Sequence, residues 1–233
     1  MLDTKRHKQI FNPESFSMPV HIVGCGGMGS RVAEGMVRMG VGVADKSPIH
    51  LYDADIFEAH NLTNQWTTSS RLHMKKVEVV RSLMLEVNPQ ASIIINPVRL
   101  QEETALSGVV FICVDSMKDR QALIEKVMKK PSEVHCVIEV RMDAGVGVTH
   151  CFNPNNQKQL DCWRLYWFPD SEGDNMQGCG GAQSIISAIY ATTAMALKQF
   201  EHFARSKNTI DMQNRVYQDF DACTIKSEQW PAA

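Results

Sequence analysis

Asp115 closes the apolar run 109-VVFICVD-115, Asp53 closes 49-IHLYD-53, and Asp55 follows it as D-x-D. Lys76 stands at the start of a helical pattern, and before it lies 60-HNLTNQW-66, dense in side-chain amides. Upstream, Gly24-Cys25-Gly26-Gly27-Met28-Gly29 fits G-x-G-x-x-G. Each of these types suits phosphate chemistry. Glycines let the backbone approach anion oxygens, and a helix beginning there offers free N–H groups. A carboxylate meets a ribose hydroxyl or, together with phosphate oxygens, holds Mg²⁺. A lysine neutralises charge on the phosphates. Singly they have blander uses: a strand-end Asp caps the next helix, a lone lysine is solvated, and glycines serve tight packing. Their combination suits a triphosphate with Mg²⁺ better than the uncharged nicotinamide ring that the glycine fingerprint alone suggests. An NAD(P)- or FAD-dependent oxidoreductase is therefore the third reading.

The elements that must position these residues alternate along the chain. Strand patterns run over 20-VHIVG-24, 49-IHLYD-53, 92-SIIINPV-98, 109-VVFICVD-115, 134-VHCVIEV-140 and 146-VGVTHCF-152. Between them, 30–40, 75–87 and 117–130 carry apolar residues at helical spacing, the last two stopping at Asn88-Pro89 and Pro131. This predicts an α/β fold: a Rossmann-like, mostly parallel sheet with helices on both faces. The glycines fall between the first strand and the first helix. Asp53 follows Gly29 by 24 residues, where a ribose-binding carboxylate belongs. C-terminal strands, including 215-RVYQDFDA-222, are expected to run antiparallel. A long helix over about 182–205 has small and apolar residues on most sides and is expected to be buried. The loop 153–181 is the least regular stretch.

Composition narrows the class. The 233 residues form one expected domain, with 44% hydrophobic residues and a net charge of −2. No basic stripe suggests nucleic acid, and no apolar stretch is long enough for a membrane span. A cytoplasmic protein is expected, with no nucleic-acid or membrane partner. The seven cysteines contain no C-x-x-C, so no structural zinc is expected. Cys25, Cys113 and Cys136 lie in apolar runs and read as reduced, buried thiols. The thirteen methionines read as core filler.

In order and spacing these boxes resemble the ThiF/MoeB/HesA family, the bacterial relatives of ubiquitin-activating enzymes. The chain carries 6-RHKQI-10, 24-GCGGMGS-30, Asp53 and Asp55, 61-NLTNQ-65, 73-HMKK-76, Asp115-Ser116 with Arg120, 162-CWRLYWFP-169, and Cys179 ahead of the long helix. The resemblance implies a single ThiF-like adenylation domain over 1–233 and an ATP/Mg²⁺-dependent adenylyltransferase. The substrate it implies is the C-terminal carboxylate of a separate ubiquitin-like or sulfur-carrier protein, or of a peptide. Carried onto this chain, Gly24, Gly26, Gly27 and Gly29 form the phosphate cradle, Asp53 holds the ribose, and Asp55, Asn61, Asn64 and Gln65 complete the nucleotide site. Lys76 neutralises developing charge, Asp115 holds Mg²⁺, and Arg6 reaches a partner subunit's site in a homodimer. Cys179, in a glycine-rich stretch before a helix, would take the acyl group as a thiolate. Cys162 is the second candidate, with packing against Trp163 and Phe168 the blander reading.

The chain departs from the family pattern in places. Asn64 stands where the family has an arginine, so a cation is missing that Arg6, Lys8 or Arg120 would have to supply. His73 replaces a glycine at the helix entry. Leu165 stands where a zinc C-x-x-C would finish. The departure at Asn64 also motivates a second reading, a nucleotide-binding partner or regulator without chemistry. Arg141, in 138-IEVRMDAG-145, is expected to meet either the acceptor tail or an acidic neighbour.

Overall fold

The computed structural model describes residues 2–43, 47–100, 104–128, 133–143, 145–169 and 185–231. Five parallel strands form one side of a single sheet: β1 (Val20–Val23), β2 (Ile49–Tyr52), β3 (Ile93–Asn96), β4 (Ser107–Ile112) and β5 (Glu133–Met142). Three antiparallel strands extend it: β6 (Val146–Phe152), β7 (Arg215–Asp219) and β8 (Thr224–Glu228). The order is β3-β2-β1-β4-β5-β6-β7-β8. The helices are α1 (Gly27–Arg38), α2 (Lys76–Val87), α3 (Met117–Met128), α4 (Gln157–Arg164) and α5 (Ile186–Ser206).

The strands are apolar on both faces because both faces are covered. Ile22, Leu51, Phe111 and Ile138 point into one core with residues of α1, α2 and α5. Val23, Tyr52, Val110, Ile112 and Val137 point into the other, with Leu123 and Ile124 of α3 and Leu160 and Trp163 of α4. The chain leaves β1 for one face and β4, its neighbour, for the other. That divergence opens a crevice at the C-terminal ends of β1 and β4, the place where open α/β sheets bind ligands. On the α5 side, a Cβ on Gly35 would stand 2.3 Å from Leu197 Cδ1. Glycine there lets α1 and α5 pack closely.

Two expectations need correction, and one strand was not foreseen. α5 is not buried all round: Ala188, Ile189, Thr192, Ala196 and Phe200 face the core, while Ser187, Tyr190, Ala194 and Lys198 are exposed. Small residues on its outer face imitate an apolar helix in sequence. The stretch 153–181 is not irregular throughout, since 157–164 forms α4, capped by Asn156 Oδ1 accepting from the N–H groups of Lys158 and Gln159. β8 was not expected, because Thr224–Glu228 is exposed at every position and so has no apolar alternation to read.

Candidate functional site

The turn between β1 and α1 shows what each glycine is for. Gly24 has φ +90°, and a Cβ there would stand 2.9 Å from the Cys113 carbonyl carbon and oxygen. A Cβ on Gly29 would fall 1.7 Å from Gly24 O. These two glycines make the turn close on itself and on the exit of β4. Gly26 differs: its Cβ would meet only Gln65 Nε2, at 3.9 Å. That open side is where a ligand can approach the backbone. Gly26 is also the N-cap of α1 and offers no side chain to the helix's first N–H groups, which leaves them for an anion. Gly27 is tighter, its Cβ position lying 3.0 Å from Ile189 of α5.

The acids and amides close round this turn. Asp53 Oδ2 accepts from the Cys25 N–H at 2.7 Å, and its Oδ1 accepts from the Asp55 N–H at 2.8 Å. Asp53 thus ties the glycine turn to the end of β2. Asp55 pairs with Lys76 Nζ at 3.2 Å, and the Lys76 backbone N–H donates to Asp55 O at 3.0 Å. Lys76 is only 9% exposed, so it is not a solvated surface lysine. Its charge is felt inside the turn: burial pushes the Cys25 thiol up, Asp53 and Cys113 push it further, and Lys76 opposes them.

The amide box folds into a 3-10 turn at Ala59–Thr63, where Asn61 Oδ1 accepts from the Glu58 N–H at 2.9 Å. Asn61 is buried, and that oxygen is spent on the turn that presents Asn64 and Gln65. Asn64 O lies 3.5 Å from the Gly27 Cβ position. Trp66 N–H donates to Ser30 Oγ at 3.2 Å. Gln65 Oε1 is buried and accepts no hydrogen bond among the described residues. A buried amide oxygen without a donor, beside an open glycine, marks a place for something to bind. Across the crevice Asp115 is exposed, its Oδ1 accepting from the Ser116 N–H at 3.0 Å. Because Gly24 packs on Cys113 and Val114, Asp115 leaves the sheet directly beside the glycine turn.

The ThiF family profile matches residues 14–231. The chain belongs to the ThiF family. It is 28% identical over 188 residues to the adenylyltransferase and sulfurtransferase UBA4 of Meyerozyma guilliermondii, covering 76% of this chain and 41% of that protein. It is 26% identical over 151 residues to the molybdopterin-synthase adenylyltransferase of Haemophilus influenzae, covering 62% and 60%. Against the ubiquitin-like modifier-activating enzyme 5 of Caenorhabditis briggsae it is 29% identical over 120 residues, covering 45% and 27%. The chain thus spans between 27% and 60% of the length of these relatives. Among solved structures it is similar to E. coli MccB with ATP, at a TM-score of 0.68 and 16% identity, covering 95% of this chain and 66% of that one. It is also similar to the microcin C7 biosynthetic enzyme MccB in complex with N-formylated MccA (TM-score 0.73, 16% identity, covering 95% and 67%). At such identities the likeness establishes the fold.

Within this ThiF-family fold, Gly24, Gly26, Gly27, Gly29, Asp53, Asp55, Asn61, Asn64, Gln65, Lys76 and Asp115 gather at one edge of the sheet. Arg6 does not. It is exposed in an N-terminal turn, where neighbouring His7 Nε2 lies 3.2 Å from Met39 O past the far end of α1. Lys8 is there too, paired with Glu14 at 2.8 Å. Arg120 is corrected outright as a substitute cation. It is 1% exposed, faces the interior, and contacts Glu139 and two backbone carbonyls. Cys179 lies outside the described residues. Cys162 is partly buried and packs against the α4-side core. Arg141 meets its acidic neighbour, Glu139, at 2.6 Å. Sequence reasoning passed over Glu139 itself, although a carboxylate inside the apolar run 134-VHCVIEV-140 was a visible signal. No helix among the described residues is long and apolar enough to cross a membrane.

Proposed function

We propose that this chain is an ATP/Mg²⁺-dependent adenylyltransferase that activates the C-terminal carboxylate of a ubiquitin-like or sulfur-carrier protein, or of a peptide. One observation carries the reading: the open side of Gly26 faces Gln65, whose Nε2 lies 3.9 Å from the Cβ position and whose buried Oε1 accepts no hydrogen bond among the described residues, with buried Lys76 held on Asp55 and Asp115 at the exit of β4. The donor set fits a nucleotide triphosphate. The first turn of α1 and Gly26 hold phosphate oxygens, Gln65 and Asn64 line the nucleotide, Asp53 takes the ribose, and Lys76 offsets charge as it develops. Asp115 would hold Mg²⁺, whose charge offsets that of the phosphates. The acceptor carboxylate oxygen bonds to the α-phosphorus as the bond to the pyrophosphate oxygen breaks, giving acyl-adenylate and pyrophosphate. This is a displacement that needs positioning and charge neutralisation more than covalent help. In a second step of the same proposal, the Cys179 thiolate attacks the acyl carbon and AMP leaves.

The names of relatives support this chemistry: UBA4 and the molybdopterin-synthase enzyme are called adenylyltransferases, and MccB has been captured with ATP and with N-formylated MccA. A homodimer is part of the proposal, since Arg6 is remote from its own chain's crevice and would serve a partner's. Asn64 favours a second reading, a nucleotide-binding regulator without chemistry. Exchange of labelled pyrophosphate into ATP, stimulated by a carrier protein ending in Gly-Gly or by a peptide with a free C-terminus, tests the two. Exchange abolished by Asp115→Ala supports the enzyme. ATP binding without exchange for any acceptor would sink the enzyme and leave the regulator.

A further inference from the structure

Behind Asp115, on the face covered by α3 and α4, one carboxylate organises the loops at the sheet edge. Glu139 of β5 is fully buried. Its Oε1 accepts from Arg141 Nε at 2.6 Å and Arg120 Nη1 at 3.2 Å. Its Oε2 accepts from His150 Nδ1 at 2.7 Å, Trp163 Nε1 at 2.9 Å and Arg141 Nη2 at 3.0 Å. Both guanidiniums reach onward to backbone. Arg120 donates to Val140 O at 2.6 Å and to Val114 O, the carbonyl just before Asp115. Arg141 donates to Tyr166 O at 2.6 Å, in the segment that follows α4.

Stability alone does not account for this arrangement. Buried ion pairs are often no more stable than apolar side chains of the same volume, and here two guanidiniums share one carboxylate. What the network does supply is direction. Arginine on a carboxylate is held in a planar, forked geometry, so its remaining N–H groups are aimed as well. Without Glu139, Arg120 loses the carboxylate that aims it at the Val114 carbonyl and keeps only its bond to Val140 O. The turn carrying Asp115 would then rest on local bonds, among them Ser116 N–H to Asp115 Oδ1 at 3.0 Å and Asp119 N–H to Ser116 Oγ at 3.1 Å.

We propose that Glu139 is a positioning residue for the nucleotide's divalent cation: through Arg120 it fixes the Val114–Asp115 turn so that the Asp115 carboxylate is in place. The proposal rests on the Mg²⁺·ATP reading above. Outer-shell partners of a metal ligand typically change metal affinity about 10- to 100-fold when removed, which sets the size of the effect.

The test is calorimetric titration of ATP, in Mg²⁺ and in EDTA, with wild type, Glu139→Gln and Arg120→Met. Glu139→Gln leaves two buried guanidiniums facing no carboxylate and is the variant at risk of not folding. Arg120→Met removes cation and tether together and leaves Glu139 paired with Arg141, so it carries the test if the other is lost. In both, the factor by which Mg²⁺ tightens ATP binding should fall by about tenfold or more, with binding in EDTA unchanged. A purely structural role would lower the melting temperature and weaken both titrations alike, which would overturn the proposal. So would an unchanged Mg²⁺ factor in folded Arg120→Met. If wild type bound ATP in neither buffer, the nucleotide reading itself would fall, an outcome distinct from loss in the variants alone.

Discussion

Replacing single glycines of the β1–α1 turn should separate folding from binding. An alanine Cβ at Gly29 would sit 1.7 Å from Gly24 O, 2.8 Å from Gly24 C and 3.2 Å from Cys113 Cβ. Ordinary contact needs about 3.4 Å, so backbone must move by more than an ångström, and the backbone in question is locked between β1 and β4. Overpacking in cores costs about 1–3 kcal/mol, and a clash with main chain belongs at or above the top of that range. For a chain of this size about 3 kcal/mol corresponds to a fall of roughly 6–12 °C in melting temperature. Gly26→Ala meets only the end of Gln65, 3.9 Å away, and has a negative φ of −75°. Its cost should stay within about 1 kcal/mol, but the new methyl group occupies the open side where phosphate would approach. ATP binding should therefore weaken at least about tenfold, equivalent to about 1.4 kcal/mol. Circular-dichroism melts and equilibrium ATP titration of the two variants read both quantities. A Gly29→Ala melt within 2 °C of wild type, or wild-type ATP affinity in Gly26→Ala, would refute this division of labour.

The remaining predictions concern local strain, pH and the ties of Asp53. His73 has φ +67°, the left-handed region that favours glycine, and its N–H donates to Phe57 O at 2.7 Å; His73→Gly should stabilise by about 0.5–1 kcal/mol in urea unfolding. His21 is lowered to about 3 by burial and by neighbouring His50, and His150 to about 4 chiefly by burial, against 6.5 when exposed. Both are neutral in the fold, so the unfolded chain takes up protons first, and stability is full above 6.5 and lost as pH falls toward 4 and 3. Each should cost about 2 kcal/mol at about pH 5, read from urea midpoints against about pH 7.5; an undiminished loss in His21→Gln would contradict the assignment. Asp53→Asn leaves one oxygen for two N–H groups, so both ATP affinity and melting temperature should drop, by about 1–3 kcal/mol in stability. Equal stability at pH 7 would mean those hydrogen bonds do not hold the turn.

The parallel half of the fold was legible because its strands are continuous apolar runs and the helical spacing between them is interrupted in sequence by Asn88-Pro89 and Pro131. The glycine turn was legible because Gly24, Gly26 and Gly29 stand together between a strand pattern and a helix pattern. What spacing could not tell was which glycine makes the turn and which faces a ligand; that depends on Cys113 and Gln65, far away in sequence. Arg120 misled for a related reason. An arginine one turn into a helix at the sheet edge looks available to a phosphate, and only the carboxylate of Glu139, on another strand, turns it inward. β8 escaped because an exposed edge strand is held by backbone pairing with β7, which leaves no mark on residue type.

The placement of cations sharpens the question raised by Asn64. Of the three candidates for the missing charge, Arg120 is buried behind the crevice, and Lys8 is tied to Glu14 beyond the far end of α1. Lys76 is inside the site but already shares its charge with Asp55. On the proposed reading, Mg²⁺ at Asp115 offsets part of the charge of the departing pyrophosphate, and the paired lysine and the helix terminus offset part of the rest. Of those three, Arg6 remains, exposed and beyond the far end of α1 from its own chain's crevice; on the proposed reading it would serve the site of a second copy of the chain. The exposed side of α5 carries Ser187, Tyr190 and Ala194, with Arg31 over the Tyr190 ring at 5.0 Å and Lys198 one turn further on. On the proposed reading, catalysis would then depend on a second copy, whereas nucleotide binding by the glycine turn would not, so ATP titration and pyrophosphate exchange across a dilution series would separate the two.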